Sequence, residues 1–304
     1  MEKKLSETFV NRYSRLTDWE EFKKYLFIPI KKSIRVNTLK TTVPELKEKL
    51  EKRGWKLKPI PWCEEGFWIW GKDERLGSLP EHEMGHFYIQ EAASMIPPIV
   101  LDPKPGEKIL DMCASPGGKT TQIAQYMKNK GKLIANDIRE DRIAILKRNL
   151  LRMGVRNCTV TQMPGQHFKD VKFDKILVDA PCSGTGTMRN WNSVEKWNPE
   201  IFRRISYEQK SLLHHAYCVL RRGGILVYST CSFEPEENES VVDYLLKRHK
   251  KTELEEIDLK GIKRSEPILE FEGKTFDSRI ERCLRIWHHD NDTSGFFVAK
   301  IRKL

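Results

Sequence analysis

The chain has 304 residues, of which 39% are hydrophobic and 32% are charged, so it has enough apolar material for a substantial core and one or two domains. No run of about 18 apolar residues occurs, and the first residues do not form the apolar stretch of a signal peptide. This pattern excludes a transmembrane helix, and a cytoplasmic protein is expected. Lys and Arg exceed Asp and Glu by 54 to 43, and the net charge of +11 favours a polyanionic partner, nucleic acid first.

The seven cysteines are odd in number, and no two of them have the spacing C-x-x-C. A disulfide framework and a zinc ribbon are therefore not expected, and a reducing compartment fits best. Burial in the core is the ordinary state of a cysteine side chain. It is the state predicted for Cys158, Cys218 and Cys283.

Residues 1–85 combine helix and strand patterns in a stretch that is too short for a large core. Five apolar side chains near its start follow helical spacing: Phe9, Tyr13, Leu16, Trp19 and Phe22. The alternation at residues 33–39 predicts a strand, and Pro44 and Gly54 mark the ends of a helix over residues 45–53. A second strand is predicted at residues 55–60. We therefore expect a small α+β domain over residues 1–85.

From Gly106 onward, short apolar strands alternate with helices. Strands are predicted at residues 108–112, 132–136, 159–163, 175–179 and 225–229, and helices at residues 119–128, 140–153, 199–220 and 235–248. This alternation is typical of a parallel sheet that is covered on both faces. The last two predicted strands, at residues 283–287 and 295–301, should pair antiparallel because only a short loop joins them. The charged residues 250–281 are expected to form a surface insertion.

A glycine-rich turn follows the first parallel strand and opens a helix: Asp111-Met112-Cys113-Ala114-Ser115-Pro116-Gly117-Gly118-Lys119-Thr120. A phosphate-binding P-loop would need a glycine at position 113, where Cys113 stands, so that interpretation fails. A nucleoside cofactor at the switch point of the sheet fits better, and Asp137 after the second strand is then expected to hold the ribose hydroxyls. The pattern favours a dinucleotide- or S-adenosylmethionine-binding fold, with ordinary turn residues as the alternative.

Two cysteines follow the ends of the fourth and fifth strands. Cys182 stands in Asp179-Ala180-Pro181-Cys182-Ser183-Gly184, and Cys231 stands in Ser229-Thr230-Cys231-Ser232. Both strand ends face the ligand crevice of a doubly wound sheet, where loop residues often carry chemistry. Either thiol alone could be a structural cysteine. Together they predict two thiols and the carboxylate of Asp179 beside the cofactor.

Six motifs together resemble the RNA cytosine-5 methyltransferases of the Nop2/Sun type, over nearly the whole chain. They lie at residues 34–38, 89–94, 111–120, 179–184, 229–232 and 295–299. The resemblance implies a Rossmann-like class I methyltransferase domain at residues 86–304, with a mostly parallel seven-stranded sheet and a C-terminal antiparallel hairpin. It also implies an RNA-recognition-like domain at residues 1–85, S-adenosyl-L-methionine as methyl donor and an RNA substrate. Length and arrangement are similar to the compact archaeal tRNA enzymes, so tRNA is expected before rRNA. A monomer without metal or membrane attachment is expected.

By the same resemblance, Cys231 is the nucleophile that adds to carbon 6 of cytosine and makes carbon 5 reactive. Cys182 is expected to assist breakdown of the covalent adduct, Asp179 to bond the cytosine edge, and Lys119 to lower a thiol pKa. The cofactor contacts that the resemblance implies are Cys113, Ala114, Ser115, Pro116, Gly117, Gly118, Lys119, Asp137, Arg142 and Asp179.

Two positions depart from the family pattern. Pro164 stands after the third strand where the family has an aspartate for the adenine amino group, so backbone groups or Gln166 are expected to replace it. Trp287-His288-His289 stands where a Pro-His pair is usual, and both histidines are expected at the surface or in a loop rather than as metal ligands.

Several further residues are candidates for contact with RNA. Arg35 and Asn37 are expected at the RNA or at the domain interface. Arg189-Asn190-Trp191 and Trp197 follow the Cys182 loop and are expected to grip a flipped nucleotide. A non-catalytic RNA-binding or assembly factor on a methyltransferase scaffold is the alternative function, because Pro164 removes one expected cofactor contact.

Overall fold

The computed structural model describes residues 5–71 and 75–304. The first part contains helices α1 (Glu7–Leu16), α2 (Trp19–Tyr25), α3 (Val43–Lys52) and α4 (Pro80–Glu83) and strands β1 (Ser33–Val36), β2 (Lys56–Ile60), β3 (Cys63–Trp70) and β4 (Phe87–Ile89). The helices that follow are α5 (Ile96–Leu101), α6 (Gly118–Tyr126), α7 (Glu140–Met153), α8 (Trp191–Glu195), α9 (Glu200–Val219), α10 (Glu239–Arg248) and α11 (His288–Asn291). The remaining strands are β5 (Lys108–Asp111), β6 (Lys132–Asp137), β7 (Cys158–Gln162), β8 (Phe173–Asp179), β9 (Leu220–Thr230), β10 (Thr252–Glu255), β11 (Glu270–Phe271), β12 (Lys274–Thr275), β13 (Leu284–Ile286) and β14 (Phe296–Lys303).

A small antiparallel sheet with the strand order β2-β3-β1-β4 forms the N-terminal domain. The predicted strands near residues 33 and 56 are confirmed, but β3 and β4 were not predicted. Gly66 and the pair Glu64-Glu65 interrupt the apolar alternation of β3, which hides a strand that buries Phe67 and Ile69. Because β4 pairs with β1, this sheet extends beyond residue 85.

The first two helices pack on the C-terminal domain rather than on the small sheet. Phe9 and Tyr13 of α1 and Phe22 of α2 form one apolar cluster with Phe233 and Trp287. The helical pattern of this segment is confirmed, but it is divided between two helices. The division lies at Asp18, whose carboxylate accepts hydrogen bonds from the first backbone N–H groups of α2 and so starts a new helix.

The large sheet has the order β10-β14-β9-β8-β5-β6-β7, with β13 also paired to β14. The five strands from β9 to β7 are parallel, and β14 runs antiparallel to β9. Strands β10 and β13 share the outer edge of β14, β10 along residues 300–303 and β13 along residues 296–298. The predicted α/β class, the mostly parallel sheet and the C-terminal antiparallel hairpin are confirmed.

The strand order places a crevice at one edge of this sheet. Strand β5 lies between β6 and β8, so the chain moves to one side after β5 and returns to the other side at β8. Ligands of doubly wound sheets bind at such a switch point, outside the carboxyl ends of the strands. The glycine-rich turn follows β5, and the two cysteine loops follow β8 and β9.

Most predicted bounds lie close to the observed ones, and those of α7 coincide. Gly154 ends this helix with a φ of +74°, a left-handed conformation that glycine adopts without steric cost. Helix α10 begins at Glu239, four residues later than predicted, and β9 begins five residues earlier, directly after α9. The segment 250–281 is not only a surface insertion, because it contributes β10 to the large sheet.

The domain interface is built around Arg35 and Asn37. The buried guanidinium of Arg35 donates hydrogen bonds to Gln90 Oε1 at 2.5 Å and to the Gly118 carbonyl oxygen at 2.8 Å. The amide of Asn37 donates to the carbonyl oxygens of Gly85 and Met153, both at 2.8 Å. Arg35 and Asn37 were predicted to contact either RNA or the domain interface. They lie in the interface, since both side chains are 1% exposed or less.

The prediction that His288 lies at the surface or in a loop is wrong, because this side chain is fully buried. Its ring lies 4.4 Å from the ring of Phe22, and Nε2 is 2.8 Å from the Phe22 carbonyl oxygen. Burial lowers the pKa of His288 to about 3. The side chain therefore fastens α2 to the C-terminal domain as a neutral ring.

None of the helices within the described ranges, 5–71 and 75–304, is both long and apolar enough to span a bilayer.

Candidate active site

The two predicted cysteines are in contact at the carboxyl ends of adjacent strands. Asp179 ends β8 and lies in register with Ser229 near the end of β9. Cys182 comes three residues after β8 and Cys231 directly follows β9, so both loops leave the same edge of the sheet. The Sγ atoms of Cys182 and Cys231 are 3.3 Å apart. Parallel pairing of β8 with β9 therefore brings together two thiols that are distant in sequence.

The two thiols differ in acidity. The hydrogen bond with Cys182 lowers the pKa of Cys231 below its ordinary value, and the Lys119 ammonium acts in the same direction, against burial. The pKa of Cys182 is raised instead, by the same hydrogen bond to the neighbouring sulfur and by burial. Because the thiolate is the nucleophilic form of cysteine, Cys231 is the better prepared nucleophile of the two.

Lys119 and Asp179 form an ion pair beside the thiols. Lys119 Nζ lies 2.7 Å from Asp179 Oδ2 and donates a hydrogen bond of 3.0 Å to Ser94 Oγ. Ser229 Oγ donates a hydrogen bond of 2.7 Å to the other carboxylate oxygen. Burial opposes the charge on Lys119, but Asp179 outweighs burial and raises the pKa of Lys119. The ammonium therefore stays charged and favours the thiolate form of Cys231.

Substituting Lys119→Gln is expected to raise the pKa of Cys231, because the change removes the positive charge and leaves Asp179 unneutralised. The thiolate fraction at neutral pH then falls. Alkylation of Cys231 by iodoacetamide, followed by peptide mass spectrometry over a series of pH values, should slow severalfold at pH 7 and reach its midpoint at higher pH. Lys247→Gln, which removes a distant ammonium paired with Asp243, is the matched control. Identical profiles for the two variants would refute the role of Lys119.

The glycine-rich turn lines a cavity of about 160 Å³ next to this ion pair. The predicted cofactor contacts on its wall are Cys113, Ala114, Ser115, Pro116, Gly118, Lys119 and Asp179. Gly117 lies behind the wall as the N-cap of α6, with a φ of +105° that side-chain-bearing residues rarely adopt. A Cβ atom there would also lie 3.1 Å from Leu146. Most of the predicted cofactor residues therefore converge on one cavity.

Asp137 and Arg142 support the turn but do not line this cavity. Asp137 Oδ2 accepts a hydrogen bond of 3.3 Å from the Ser115 backbone N–H, and Arg142 Nη1 lies 3.5 Å from the same oxygen. Arg142 Nη2 also donates to the Ser115 carbonyl oxygen at 2.5 Å. These contacts fix the conformation of the turn, and the ribose contact of Asp137 stays a prediction.

Sequence reasoning missed Asp111, a buried carboxylate in the cavity wall. Its Oδ2 accepts a hydrogen bond of 2.7 Å from Thr120 Oγ1, whereas Oδ1 is buried and has no partner. Burial raises the pKa of Asp111 to about 7. Buried polar atoms are nearly always hydrogen-bonded, so a buried oxygen without a partner indicates that a bound ligand donates a hydrogen bond to it. The position of Asp111, at the strand end before the glycine-rich turn, is the signal that could have found it.

Glu237 was also missed, although it holds both cysteine loops. Its carboxylate accepts hydrogen bonds from the Ser183 backbone N–H at 2.9 Å, the Ser183 hydroxyl at 2.5 Å and the Ser232 hydroxyl at 3.0 Å. Gln209 of α9 donates a fourth hydrogen bond at 3.0 Å. Ser183 and Ser232 directly follow Cys182 and Cys231, so Glu237 fixes the distance between the thiols. Four glutamates lie within eight positions after Cys231, and nothing in the sequence distinguishes this one.

The side chains near Pro164 are poorly placed to form hydrogen bonds with an adenine. Gln166 Nε2 donates to Ser211 Oγ on α9 at 3.4 Å, so this side chain is directed toward that helix. Met163 N donates to Asn136 Oδ1 at 3.2 Å, which anchors the turn to β6. Of the two predicted replacements for the missing aspartate, backbone groups are thus the better candidate.

Arg189 does not have the predicted contact with a flipped nucleotide. It is 3% exposed, pairs with Asp292 Oδ1 at 2.7 Å and donates to the Ile28 carbonyl oxygen. Trp197, by contrast, lines a cavity of about 220 Å³ together with Ser183 and Gly184 of the Cys182 loop. Arg189 therefore stabilises the loop architecture, while Trp197 stays a candidate for substrate contact.

Two family models together match almost the whole chain. The model of 16S rRNA methyltransferase RsmB/F matches residues 98–302, and the model of the N-terminal domain of 16S rRNA methyltransferase RsmF matches residues 5–92. The boundary between the two matches lies after β4, in agreement with the strand pairing of the small sheet.

Known proteins resemble the chain over nearly its full length. It is 48% identical to the tRNA (cytosine(49)-C(5))-methyltransferase of Pyrococcus abyssi, with 99% of this chain and 97% of the relative covered. It is 41% identical to ribosomal RNA small subunit methyltransferase F of Shewanella amazonensis, covering 98% of this chain but 64% of that relative.

Solved structures agree with these relatives. A methyltransferase homologue from Pyrococcus horikoshii superposes with a TM-score of 0.88 at 40% identity, covering 98% of this chain and 95% of the other. NSun6 from Pyrococcus horikoshii with SFG superposes with a TM-score of 0.84 at 27% identity, covering 98% of both chains. On the family match, the full-length relatives and the shared fold, the chain belongs to the RsmB/F family of methyltransferases, the Nop2/Sun family of RNA cytosine-5 methyltransferases that its motifs indicated.

Proposed function

We propose that the protein transfers the methyl group of S-adenosyl-L-methionine to carbon 5 of a cytosine in tRNA, through a covalent bond between Cys231 and carbon 6 of the base. The observation that carries this proposal is the 3.3 Å contact between two thiols of unequal acidity beside the Lys119–Asp179 ion pair. The relative that supports tRNA matches over 97% of its length, whereas the rRNA enzyme is covered over 64%. The neighbour NSun6 with SFG, an S-adenosylmethionine analogue, supports the cofactor.

The residues of the glycine-rich turn fit this cofactor. The unpartnered Oδ1 of Asp111 is a suitable acceptor for an ammonium group, and residues 113–116 and Gly118 line the same cavity. Asp137 follows the second strand, the position from which a carboxylate holds ribose hydroxyls in such folds. When bound, the cofactor supplies an electrophilic methyl group.

The first chemical task of the chain is to activate the cytosine. The Cys231 thiolate forms a bond to carbon 6, ring nitrogen 3 takes up a proton from water, and electron density moves to carbon 5. Asp179 orients the base by accepting a hydrogen bond at its edge, and Lys119 keeps the thiolate available before the attack. In this step Cys231 is thus the nucleophile, Asp179 orients the base and Lys119 stabilises the thiolate.

The second task is to release the product. Cys182 removes the proton from carbon 5, the bond between Cys231 and carbon 6 breaks, and ring nitrogen 3 loses its extra proton. The hydrogen bond to Cys231 is the main cause of the raised pKa of Cys182. Once the Cys231 sulfur is bound to carbon 6, this effect ends. Cys182 then becomes a stronger candidate for the base at the step that needs one.

The experiment that tests the proposal is methyl transfer to unmodified total tRNA and, separately, to rRNA, with bisulfite sequencing of the products. A discrete protected cytosine in tRNA is expected. Protection in rRNA alone would retain the chemistry and refute the substrate. Binding of the cofactor without methylation of either RNA would favour the non-catalytic scaffold.

Cys182→Ala is expected to trap the covalent protein–RNA adduct, because the variant retains the nucleophile and loses the base for release. A band of reduced mobility should persist in denaturing gels after incubation with RNA and cofactor, while product turnover falls at least about 100-fold. Cys158→Ala, a change on β7 away from the thiol pair, is the control. An adduct that accumulates in Cys231→Ala instead would exchange the two roles.

A further inference from the structure

Three potential metal ligands converge on the side of the large sheet that α9 and α10 cover. His214 and Cys218 lie one turn apart near the end of α9, and His249 directly follows α10. His214 Nδ1 is 2.8 Å from His249 Nε2, and Cys218 Sγ is 3.8 Å from His214 Nε2. One ligand atom from each residue lies within 4.8 Å of the other two. Two helices that are separated in sequence by residues 220–238 thus present three donor groups at one point.

This cluster is the only such group of His, Cys, Asp and Glu ligand atoms within residues 5–71 and 75–304. It also corrects the prediction for Cys218, which is exposed rather than a core residue. Its thiol is therefore accessible to an ion from solvent. The sequence concealed the cluster because it lacks the C-x-x-C spacing and joins an i, i+4 pair to a residue on another helix.

The geometry is close to that of a tetrahedral zinc site. Zn–N distances of about 2.0–2.1 Å and Zn–S distances of about 2.3 Å place tetrahedral ligand atoms about 3.3–3.7 Å apart. With His214 Nδ1 as the ligand atom, the observed separations are 2.8 Å to His249 Nε2 and 3.9 Å to Cys218 Sγ, which bracket this range, so small side-chain rotations suffice. Two imidazoles and one thiol form a donor set that Zn²⁺ binds in proteins, and they leave a fourth position for water.

The imidazole of His249 is held in place by its neighbours. The His249 ring lies between the rings of Tyr217, at 4.3 Å, and His214, at 5.0 Å. The ammonium group of Lys172 donates a hydrogen bond of 2.7 Å to the Cys218 carbonyl oxygen and so fixes the last turn of α9.

We propose that His214, Cys218 and His249 bind a zinc-class divalent cation that joins the end of α9 to the end of α10. Helix α9 leads directly into β9, which ends one residue before Cys231, and α10 begins shortly after Glu237. The ion would therefore join the C-terminal ends of the two helices that flank the cysteine loops. This site is independent of the proposed methyl transfer, because it shares no residue with the thiol pair or the glycine-rich turn. The alternative is a hydrogen-bonded histidine pair that binds no ion.

The test uses the full-length protein, treated with a chelator and then titrated with Co²⁺ as a spectroscopic substitute for Zn²⁺. A thiolate–cobalt charge-transfer band and visible d–d bands of a tetrahedral site are expected with one equivalent of metal. Excess Zn²⁺ should displace both. His249→Ala is expected to weaken Co²⁺ binding at least tenfold, and Cys218→Ser to remove the charge-transfer band while d–d bands persist.

Two variants serve as controls. His215→Ala removes a neighbouring imidazole that contacts the Ser211 carbonyl oxygen and lies outside the cluster. The double variant Cys182→Ser/Cys231→Ser removes the other pair of adjacent thiols. Both should bind Co²⁺ as the wild type does. The absence of tetrahedral bands in the wild type, or their loss only in the double variant, would overturn the proposal.

Thermal unfolding gives a second readout that does not depend on catalysis. Zn²⁺ should raise the melting temperature of the chelator-treated wild type and of His215→Ala, because a ligand that binds only the native state stabilises it. His214→Ala and His249→Ala should melt at a temperature that zinc does not change. Equal shifts in all four proteins would place the metal elsewhere and refute this site.

Discussion

Replacing Cys231 with alanine is expected to abolish methyl transfer to RNA, with a loss of at least about 10³-fold in kcat, because a reaction through a covalent intermediate loses its first step with its nucleophile. Carbon 5 of cytosine is a poor nucleophile until carbon 6 carries a substituent. In this variant the hydrogen bond with Cys231 is gone, but burial and the carboxylates of Glu237 and Asp179 still raise the pKa of Cys182, so its thiol does not replace the missing thiolate. The measurement is transfer of a labelled methyl group to unmodified tRNA.

Three comparisons make this result specific. Cofactor binding by calorimetry should be unchanged in Cys231→Ala, because Cys231 does not line the cavity of the glycine-rich turn. The variant should also form no covalent adduct with RNA, in contrast to Cys182→Ala. Cys158→Ala should retain full activity. Turnover in Cys231→Ala near the wild-type rate would refute the assignment of the nucleophile.

Replacing Glu237 with alanine is expected to reduce both activity and stability. The side chain is fully buried and accepts hydrogen bonds from Ser183, Ser232 and Gln209. Its removal leaves these donors without partners at a cost of about 2–4 kcal/mol in the free energy of unfolding. It also releases both cysteine loops, and a displacement of about 1 Å in an active site can cost about 100-fold in rate. Urea unfolding and the methyl-transfer assay measure the two effects.

The conservative variant separates the positioning role from bulk stability. Glu237→Gln retains one acceptor oxygen for the Ser183 backbone N–H, so it should recover a large part of both activity and stability. Arg203→Ala removes an exposed ion pair with Glu272 and should change the free energy of unfolding by less than about 1 kcal/mol. Full activity in Glu237→Ala would show that the loops hold the thiol pair without it.

Strong local patterns explain what the sequence predicted well. Helix α7 was found at its exact length because its apolar periodicity is long and Gly154 ends it. The glycine-rich turn and the two cysteine motifs were assigned to strand ends, and each lies there. Weak or interrupted patterns explain the failures. Strand β3 was hidden by Gly66, and β10 has only four residues inside a charged segment.

Side-chain environments that depend on distant residues could not be predicted in the same way. His288 was expected at the surface or in a loop, and Arg189 was assigned to the substrate because it follows the Cys182 loop. Both are buried against α2 and the loop that follows it, which lie more than 150 positions away in sequence. Cys218 was expected in the core and is exposed, because its helix turns that face to solvent.

The sequence by itself determined the fold class, the position of the glycine-rich turn and the identity of the two cysteines. Each of these depends on short segments that can be identified from their spacing and residue types. Only the tertiary structure decided which thiol is the more acidic, because the difference comes from a 3.3 Å contact and from Lys119, which lies on another element. Only the tertiary structure revealed that Glu237 holds both loops and that His214, Cys218 and His249 meet. Such clusters arise where parallel strands and neighbouring helices converge in space. The number of residues between two positions does not predict how close these positions lie in the fold.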